Sequence, residues 1–197
     1  MPTIHKRICL LGSTGSIGRQ TLEVCEQLGY SVVGLAVKGN IGLLAEQVLR
    51  WSPKKICVYE EAPAEECRAL FSNKDIKVLS GMEGLCELAS MEDGDLVVNA
   101  VVGMIGLEPT LAAIQAGKPV ALANKETLVA GGELVTRAAG EKQVPILPVD
   151  SEHSAIFQAL QGNTRSQVKR IILTASGGPF FGKSRSELEN ITVDQAL

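Results

Sequence analysis

Seven short apolar runs, at 8–11, 31–37, 55–59, 77–79, 96–99, 120–123 and 145–149, alternate with longer stretches whose apolar residues recur at helical spacing. Those stretches lie around 19–28, 41–51, 63–71, 82–89, 107–116, 126–140 and 154–161. Short runs that are apolar on both faces suit buried parallel strands, and helices between them predict right-handed crossovers. The expected fold is α/β, a Rossmann-like doubly wound parallel sheet. Pro63 and Pro109 suit helix first turns, while Gly29, Gly117 and Gly140 suit helix ends.

The pattern changes near Asp150, which predicts a first domain over 1–150 and the beginning of a second over 151–197. The stretch 161–166 is polar and loop-like, 168–174 reads as a new strand, and 176–182 is a glycine-rich loop. Thr192 is placed to cap a final helix with Asp194 in its first turn, and no stop signal follows. The chain is therefore expected to break off inside an element.

Composition narrows the classes. Of 197 residues 45% are hydrophobic but only 4% aromatic, which suits a core of Val, Ile, Leu and Ala. Net charge is −3 with both signs interspersed, so neither nucleic acid nor an anionic membrane is an expected partner. The first strand begins too soon after Met1 for a signal peptide, and no apolar run is long enough to cross a bilayer. Five cysteines, at 9, 25, 57, 67 and 86, include no C-x-x-C pair. That count argues against a disulfide framework or a zinc site and for a reduced, cytoplasmic setting.

The strongest chemical signal is Gly12-Ser13-Thr14-Gly15-Ser16-Ile17-Gly18, between the first strand and the first helix. Strand, glycine turn and helix in that order form a diphosphate cradle, because backbone N–H groups and the helix dipole face the anion. The spacing is GxxGxxG rather than GxGxxG, so an ordinary βα turn is the alternative. Strand two ends Ala36-Val37-Lys38-Gly39-Asn40, and the next acid along the chain is Glu46. A lysine without a carboxylate favours a 2′-phosphate, hence NADPH, over a free ribose hydroxyl; a solvated loop lysine is the alternative.

Further polar clusters follow later strands: Asn99 to Gly103, then Asn124-Lys125-Glu126, then Asp150-Ser151-Glu152. On extended backbone Asp150 and Glu152 would point to one side and offer two oxygen ligands to Mg²⁺ or Mn²⁺. Helix capping by Asp150 or Ser151 is the alternative. Lys125 could orient an anionic substrate or be a surface lysine, and Ser176 could offer donors to a phosphate or sit in a simple turn.

Taken in order, GSTGSIG at 12–18, LANKETLVAGG at 122–132, PVDSEHSAIFQAL at 148–160 and TASGGPF at 174–180 resemble the 1-deoxy-D-xylulose 5-phosphate reductoisomerase family over the whole chain. The resemblance implies that Thr14, Gly15, Ser16 and Ile17 contact NADPH phosphates, with Lys38, Gly39 and Asn40 at the adenosine end. It implies Asn124 and Glu126 against the cofactor, Lys125 and Ser151 on substrate, and Ser176 in the substrate phosphate pocket. Asp150 and Glu152 become ligands of a divalent metal, which with Lys125 form the implied catalytic set. The family's usual glycine before a small or basic residue is replaced here by Lys38-Gly39.

The implied reaction rearranges the carbon skeleton of a sugar phosphate and reduces it with NADPH to 2-C-methyl-D-erythritol 4-phosphate. Residues 151–197 then begin an α+β catalytic and dimerisation domain of a homodimer. A third carboxylate ligand, a histidine-bearing loop and a helical domain are expected beyond Leu197. Residues 1–197 alone are accordingly expected to bind NADPH without turnover. Two rival readings compete with this one. A short-chain sugar-nucleotide reductase needs Tyr-x-x-x-Lys, which neither Tyr30 nor Tyr59 supplies. A non-catalytic nucleotide-sensing module leaves Lys125, Asp150 and Glu152 without a task.

Overall fold

In the computed structural model the apolar runs pair side by side as one parallel sheet: β1 (Arg7–Leu11), β2 (Ser31–Val37), β3 (Lys55–Val58), β4 (Lys77–Ser80), β5 (Leu96–Asn99), β6 (Val120–Leu122) and β7 (Ile146–Pro148). The structure describes residues 5–173 and 178–196, and the chain divides into two units, Met1–Ser151 and Glu152–Leu197. In the first unit the strand order is β4-β3-β2-β1-β5-β6-β7, all neighbours parallel. The chain works outward from β1 to β4, then returns to place β5 on β1's other side. Connections leave β1 and β5 in opposite directions, which opens a crevice at their carboxyl ends.

Alternation along β1 sorts its side chains between two helical layers. Ile8 and Leu10 pack with Leu22 and Cys25 of α1 (Ser16–Leu28), Leu44 and Val48 of α2 (Ile41–Trp51), and Ala64 and Cys67 of α3 (Glu61–Leu70). Cys9 and Leu11 pack with Leu85 and Leu88 of α4 (Gly81–Ala89), Ile114 of α5 (Leu107–Gln115) and Val135 of α6 (Glu126–Lys142). Leu10, Leu35, Leu44, Ile56 and Leu88 are wholly buried, each contributing about 1.5–3 kcal/mol by transfer from water. The doubly wound fold expected from the pattern is the one observed.

Two details depart from the sequence pattern. Gly140 does not end α6; the helix runs to Lys142, and Gln143 closes it in the left-handed region, its N–H donating to the Ala139 and Gly140 carbonyls. The left-handed turn falls three residues after the glycine, at Gln143. Residues 168–173 form no strand, because a strand needs a paired edge and no strand lies among the described residues of the second unit. The described residues there form α7 (Ser151–Leu160), which starts at the boundary, followed by single turns and the one-turn helices α8 (Arg185–Leu188) and α9 (Val193–Ala196).

Two buried asparagines shape the rim beyond β5 and β6. Asn99 donates from Nδ2 to the Gly106 carbonyl (2.9 Å) and Thr110 Oγ1 (2.8 Å), and its Oδ1 accepts from the Val101 N–H. Asn124 Nδ2 donates to the Val101 and Gly103 carbonyls at 2.7 and 2.8 Å, while its Oδ1 accepts from the Thr127 N–H and hydroxyl. Both side chains are spent on holding the 100–106 loop. At the opposite rim Arg7 grips Asp95 through Nε and Nη2 and through its own backbone N–H, while Lys54 donates to Asp93 at 2.9 Å.

Asn124→Ala strands two carbonyls and uncaps Thr127 at once, so a loss of about 3 kcal/mol is expected. Urea unfolding checks this, and a loss below about 1 kcal/mol would mean the loop is held by something else. The Arg7 hydrogen bonds hold the Asp95 carboxyl below its ordinary 3.8, and Lys54 does the same for Asp93. A lowered folded-state value stabilises the fold above 3.8, and that stability drains away as pH falls through the folded-state value. Thermal unfolding should therefore show Asp95→Asn with a lower Tm than the parent at neutral pH and a gap that closes below about pH 4.

Candidate functional site

The carboxyl end of β1 turns through Gly12 at φ +87°, where a Cβ would sit 2.6 Å from the Ala100 carbonyl oxygen. The Gly12 and Ser13 N–H groups both donate to the Ala36 carbonyl at 2.9 Å, so the turn is wedged between the ends of β2 and β5. Six residues on, a Cβ at Gly18 would lie 2.2 Å from the Gly12 carbonyl oxygen; α1 therefore packs directly on the turn that precedes it. Gly15 differs. Its nearest obstacle would be 3.4 Å away and the residue is exposed.

Gly15 is also the N-cap of α1, and no side chain caps the helix there. The first turn of α1 holds no acid either. Helix-start N–H groups that lack internal partners, with a partial positive charge behind them, make an anion site. Thr14, Gly15, Ser16 and Ile17 line that start, Thr14 half-buried and the other three exposed.

One residue missed at the sequence level locks the turn from beneath. Ser13 Oγ donates to Gln47 Oε1 at 2.6 Å, and Gln47 Nε2 donates to the Ser13 carbonyl at 3.0 Å, with both residues buried. The signal was a glutamine on the buried stripe Leu44-Gln47-Val48 of α2, a polar group that must find a buried partner.

The second rim loop carries Lys38, Gly39 and Asn40. Asn40 caps α2, its Oδ1 accepting from the Leu43 N–H at 3.2 Å. Lys38 is 76% exposed and lies 3.6 Å from Glu60 Oε1. The expectation that no carboxylate approaches the end of strand two is thus corrected. Glu60 follows β3, and parallel pairing brings it alongside: the Tyr59 N–H donates to the Val37 carbonyl and the Glu60 N–H to the Lys38 carbonyl.

A cleft of about 210 Å³ lies between these loops. Gly12, Thr14, Gly15 and Lys38 form its polar end; Tyr59, Leu85, Val101, Val102 and Ile105 form an apolar wall. That division suits a phosphorylated ligand with a flat apolar ring.

The Asn124 side chain is 2% exposed, and every hydrogen-bonding position of its amide is filled internally. It shapes the wall through the Val101 and Gly103 carbonyls. Lys125 is exposed at the start of α6, and Glu126 is half-buried in that helix's first turn. Asp150 follows β7 and so lies on the same rim as the glycine turn. The backbone is helical from Ser151, not extended, so Ser151 and Glu152 lie in the first turn of α7. Asp150 stands just before that helix and Glu152 inside it, so the extended-strand argument for convergence does not apply. Asp150 and Glu152 offer hard oxygen donors of the type Mg²⁺ and Mn²⁺ prefer. No group of three His, Cys, Asp or Glu converges among the described residues. Ser176 lies outside the described residues.

Known proteins resemble this chain in fold and in sequence. The family model for 1-deoxy-D-xylulose 5-phosphate reductoisomerase matches residues 8–132, and the model for that enzyme's C-terminal domain matches residues 146–197. The reductoisomerase of Lachnoclostridium phytofermentans is 53% identical over 193 residues, 98% of this chain and 50% of the relative. That of Chloroherpeton thalassium is 50% identical over 98% of this chain and 50% of the relative. Among solved structures, the Zymomonas mobilis reductoisomerase in complex with NADPH superposes with a TM-score of 0.83 at 39% identity, over 98% of this chain and 51% of that one. A DOX-P reductoisomerase in complex with NADPH, fosmidomycin and magnesium gives 0.79 at 40% identity, over 97% and 50%. The chain spans about half the length of the relatives it matches. Across that half the glycine turn, the ANKE start of α6 and the DSEHSA start of α7 all stand at carboxyl ends of parallel strands, and the chain belongs to the 1-deoxy-D-xylulose 5-phosphate reductoisomerase family.

Proposed function

We propose that residues 1–150 bind NADPH at the β1–β5 crevice and that 151–197 begin the catalytic and dimerisation domain of a homodimeric reductoisomerase. The reaction is the rearrangement and reduction of 1-deoxy-D-xylulose 5-phosphate to 2-C-methyl-D-erythritol 4-phosphate, with NADPH and a divalent cation. One observation carries the reading: an uncapped helix start, opened by Gly15 and braced by Gly12 and Gly18, at the switch point of a parallel sheet. The related Zymomonas mobilis structure holds NADPH, which supports the same ligand here.

Each residue then has a task. The Thr14 to Ile17 segment holds the diphosphate on backbone N–H groups, and Lys38, Gly39 and Asn40 surround the adenosine ribose. The loop tied by Asn124 walls the cofactor, with Glu126 beside it. Lys125, Ser151 and Ser176 bind and orient the sugar phosphate. Asp150 and Glu152 are the proposed donors to Mg²⁺ or Mn²⁺. When bound, the nicotinamide supplies a hydride and the cation an electrophilic anchor for neighbouring oxygens. The protein's share is placement, holding the reacting carbonyl and the nicotinamide face at one rim.

A cytoplasmic setting agrees with the thiols. Cys9, Cys25, Cys57 and Cys67 are buried and unpaired by disulfides, and burial pushes the Cys9 and Cys57 thiols up to about 12, far from reactivity. Among the described residues no helix is long and apolar enough to cross a membrane.

Two variants separate binding from folding. Gly15→Ala adds a methyl where the backbone must approach phosphate yet meets only an ordinary contact, so NADPH affinity should fall about tenfold, or about 1.4 kcal/mol, with little change in Tm. Gly18→Ala drives a methyl into backbone, and the overpacking cost of about 1–3 kcal/mol outweighs the roughly 1 kcal/mol that alanine gains in a helix. Nicotinamide fluorescence and thermal unfolding read both; equal losses of stability would remove the distinction. The chain of 197 residues should bind NADPH yet not oxidise it when given 1-deoxy-D-xylulose 5-phosphate and Mn²⁺, since the described residues bring no third acid to the proposed cation site. Steady consumption of NADPH in that assay would refute the inactivity.

A further inference from the structure

The sheet places an acid where the cofactor's phosphate-bearing ribose is expected. Glu60 follows β3, and its backbone N–H donates to the Lys38 carbonyl at 3.0 Å, so its main chain is anchored beside the end of β2. From there the carboxylate reaches two features of the ribose loop. Oε1 lies 3.6 Å from Lys38 Nζ, and Oε2 lies 2.5 Å from the point a Cβ on Gly39 would occupy. The adjacent acid, Glu61, turns instead to Arg68 at 2.8 Å. Of these two acids it is Glu60 that bears on Lys38 and Gly39.

The pair is a weak one. Both side chains are substantially exposed, 76% for Lys38 and 48% for Glu60, and exposed ion pairs hold loosely. A ligand can open it. In dinucleotide-binding sheets the end of the second strand meets the adenosine ribose, where an acid accepts the 2′-hydroxyl and a base accommodates a 2′-phosphate. This chain presents one of each, from neighbouring strands. A 2′-phosphate carrying roughly −1.5 to −2 charge would take Lys38 away from Glu60 and then face a free carboxylate. A ribose with a free 2′-hydroxyl would donate to that same carboxylate and leave the ion pair intact.

We propose that Glu60 is a specificity-determining residue of the nucleotide site, its carboxylate beside Lys38 and over Gly39 narrowing the preference for a 2′-phosphorylated nucleotide over one with a free 2′-hydroxyl. The inference rests on the dinucleotide reading of the β1–β5 crevice. It adds that discrimination at the ribose is a balance between Lys38 and Glu60, set by strand pairing.

Adenosine 2′,5′-bisphosphate and adenosine 5′-monophosphate differ only in the 2′-phosphate, so their affinities isolate this corner of the site. Calorimetric titration of both into the 1–197 chain and into Glu60→Gln should show the affinity ratio, bisphosphate over monophosphate, rising about three- to fivefold in the variant. Glu60→Ala should give the same direction, and the gain should shrink at high salt. In a Lys38→Gln background the removal of Glu60 should change the ratio less than in the parent, because the ion pair no longer has to be broken. A parent that binds the bisphosphate while Glu60→Gln leaves the ratio unchanged or lowered overturns the role of Glu60 and leaves the dinucleotide site standing. A parent that binds neither nucleotide nor NADPH overturns the site itself, and Glu60's role with it.

Discussion

The closeness with which the end of β1 approaches its two neighbours governs everything at the carboxyl rim. The Ala36 carbonyl receives two N–H groups from the glycine turn, the Ala100 N–H donates to Leu11, and no Cβ fits beside Gly12. From this turn the chain enters α1 through Gly15, and Thr14 and Gly15 line the cleft. Holding glycine in this way costs conformational entropy. The two apolar layers that bury both faces of β1 offset it.

Buried polar side chains set the outline around that turn, and solvent-facing charges tune it. Asn99 and Asn124 hold the loop after β5, while Gln47 and Ser13 exchange hydrogen bonds beneath the glycines. No buried side-chain polar atom among the described residues lacks a partner, which is the condition under which such networks make a core rigid. Lys38 and Glu60 face water, where an ion pair contributes little to folding and stays open to exchange with a ligand.

Most of the fold was legible because its signals are local. Apolar runs at 8–11, 31–37 and 96–99 became β1, β2 and β5, and Gly29 ends α1 in the left-handed region as expected. Signals failed where a neighbour outvotes them. Gly140 lies inside α6, which closes at Gln143 instead, and residues 168–173 lack a strand to pair with among the described residues of their unit. The Asp150-Ser151-Glu152 cluster is legible as chemistry but not as geometry, since the start of α7 replaces the extended backbone on which convergence would rely.

By itself the sequence determined the alternation of strands and helices, the glycine turn, and the motifs ANKE and DSEHSA that mark the family, because periodicity, turn chemistry and spacing are properties of contiguous residues. Only the tertiary structure decided that Gln47 clasps Ser13, that Asn124 turns inward, and that Glu60 stands beside Lys38. Those contacts arise from strand order, register and helix packing, which join residues far apart in the chain, and pairing of that kind leaves no trace in any local window.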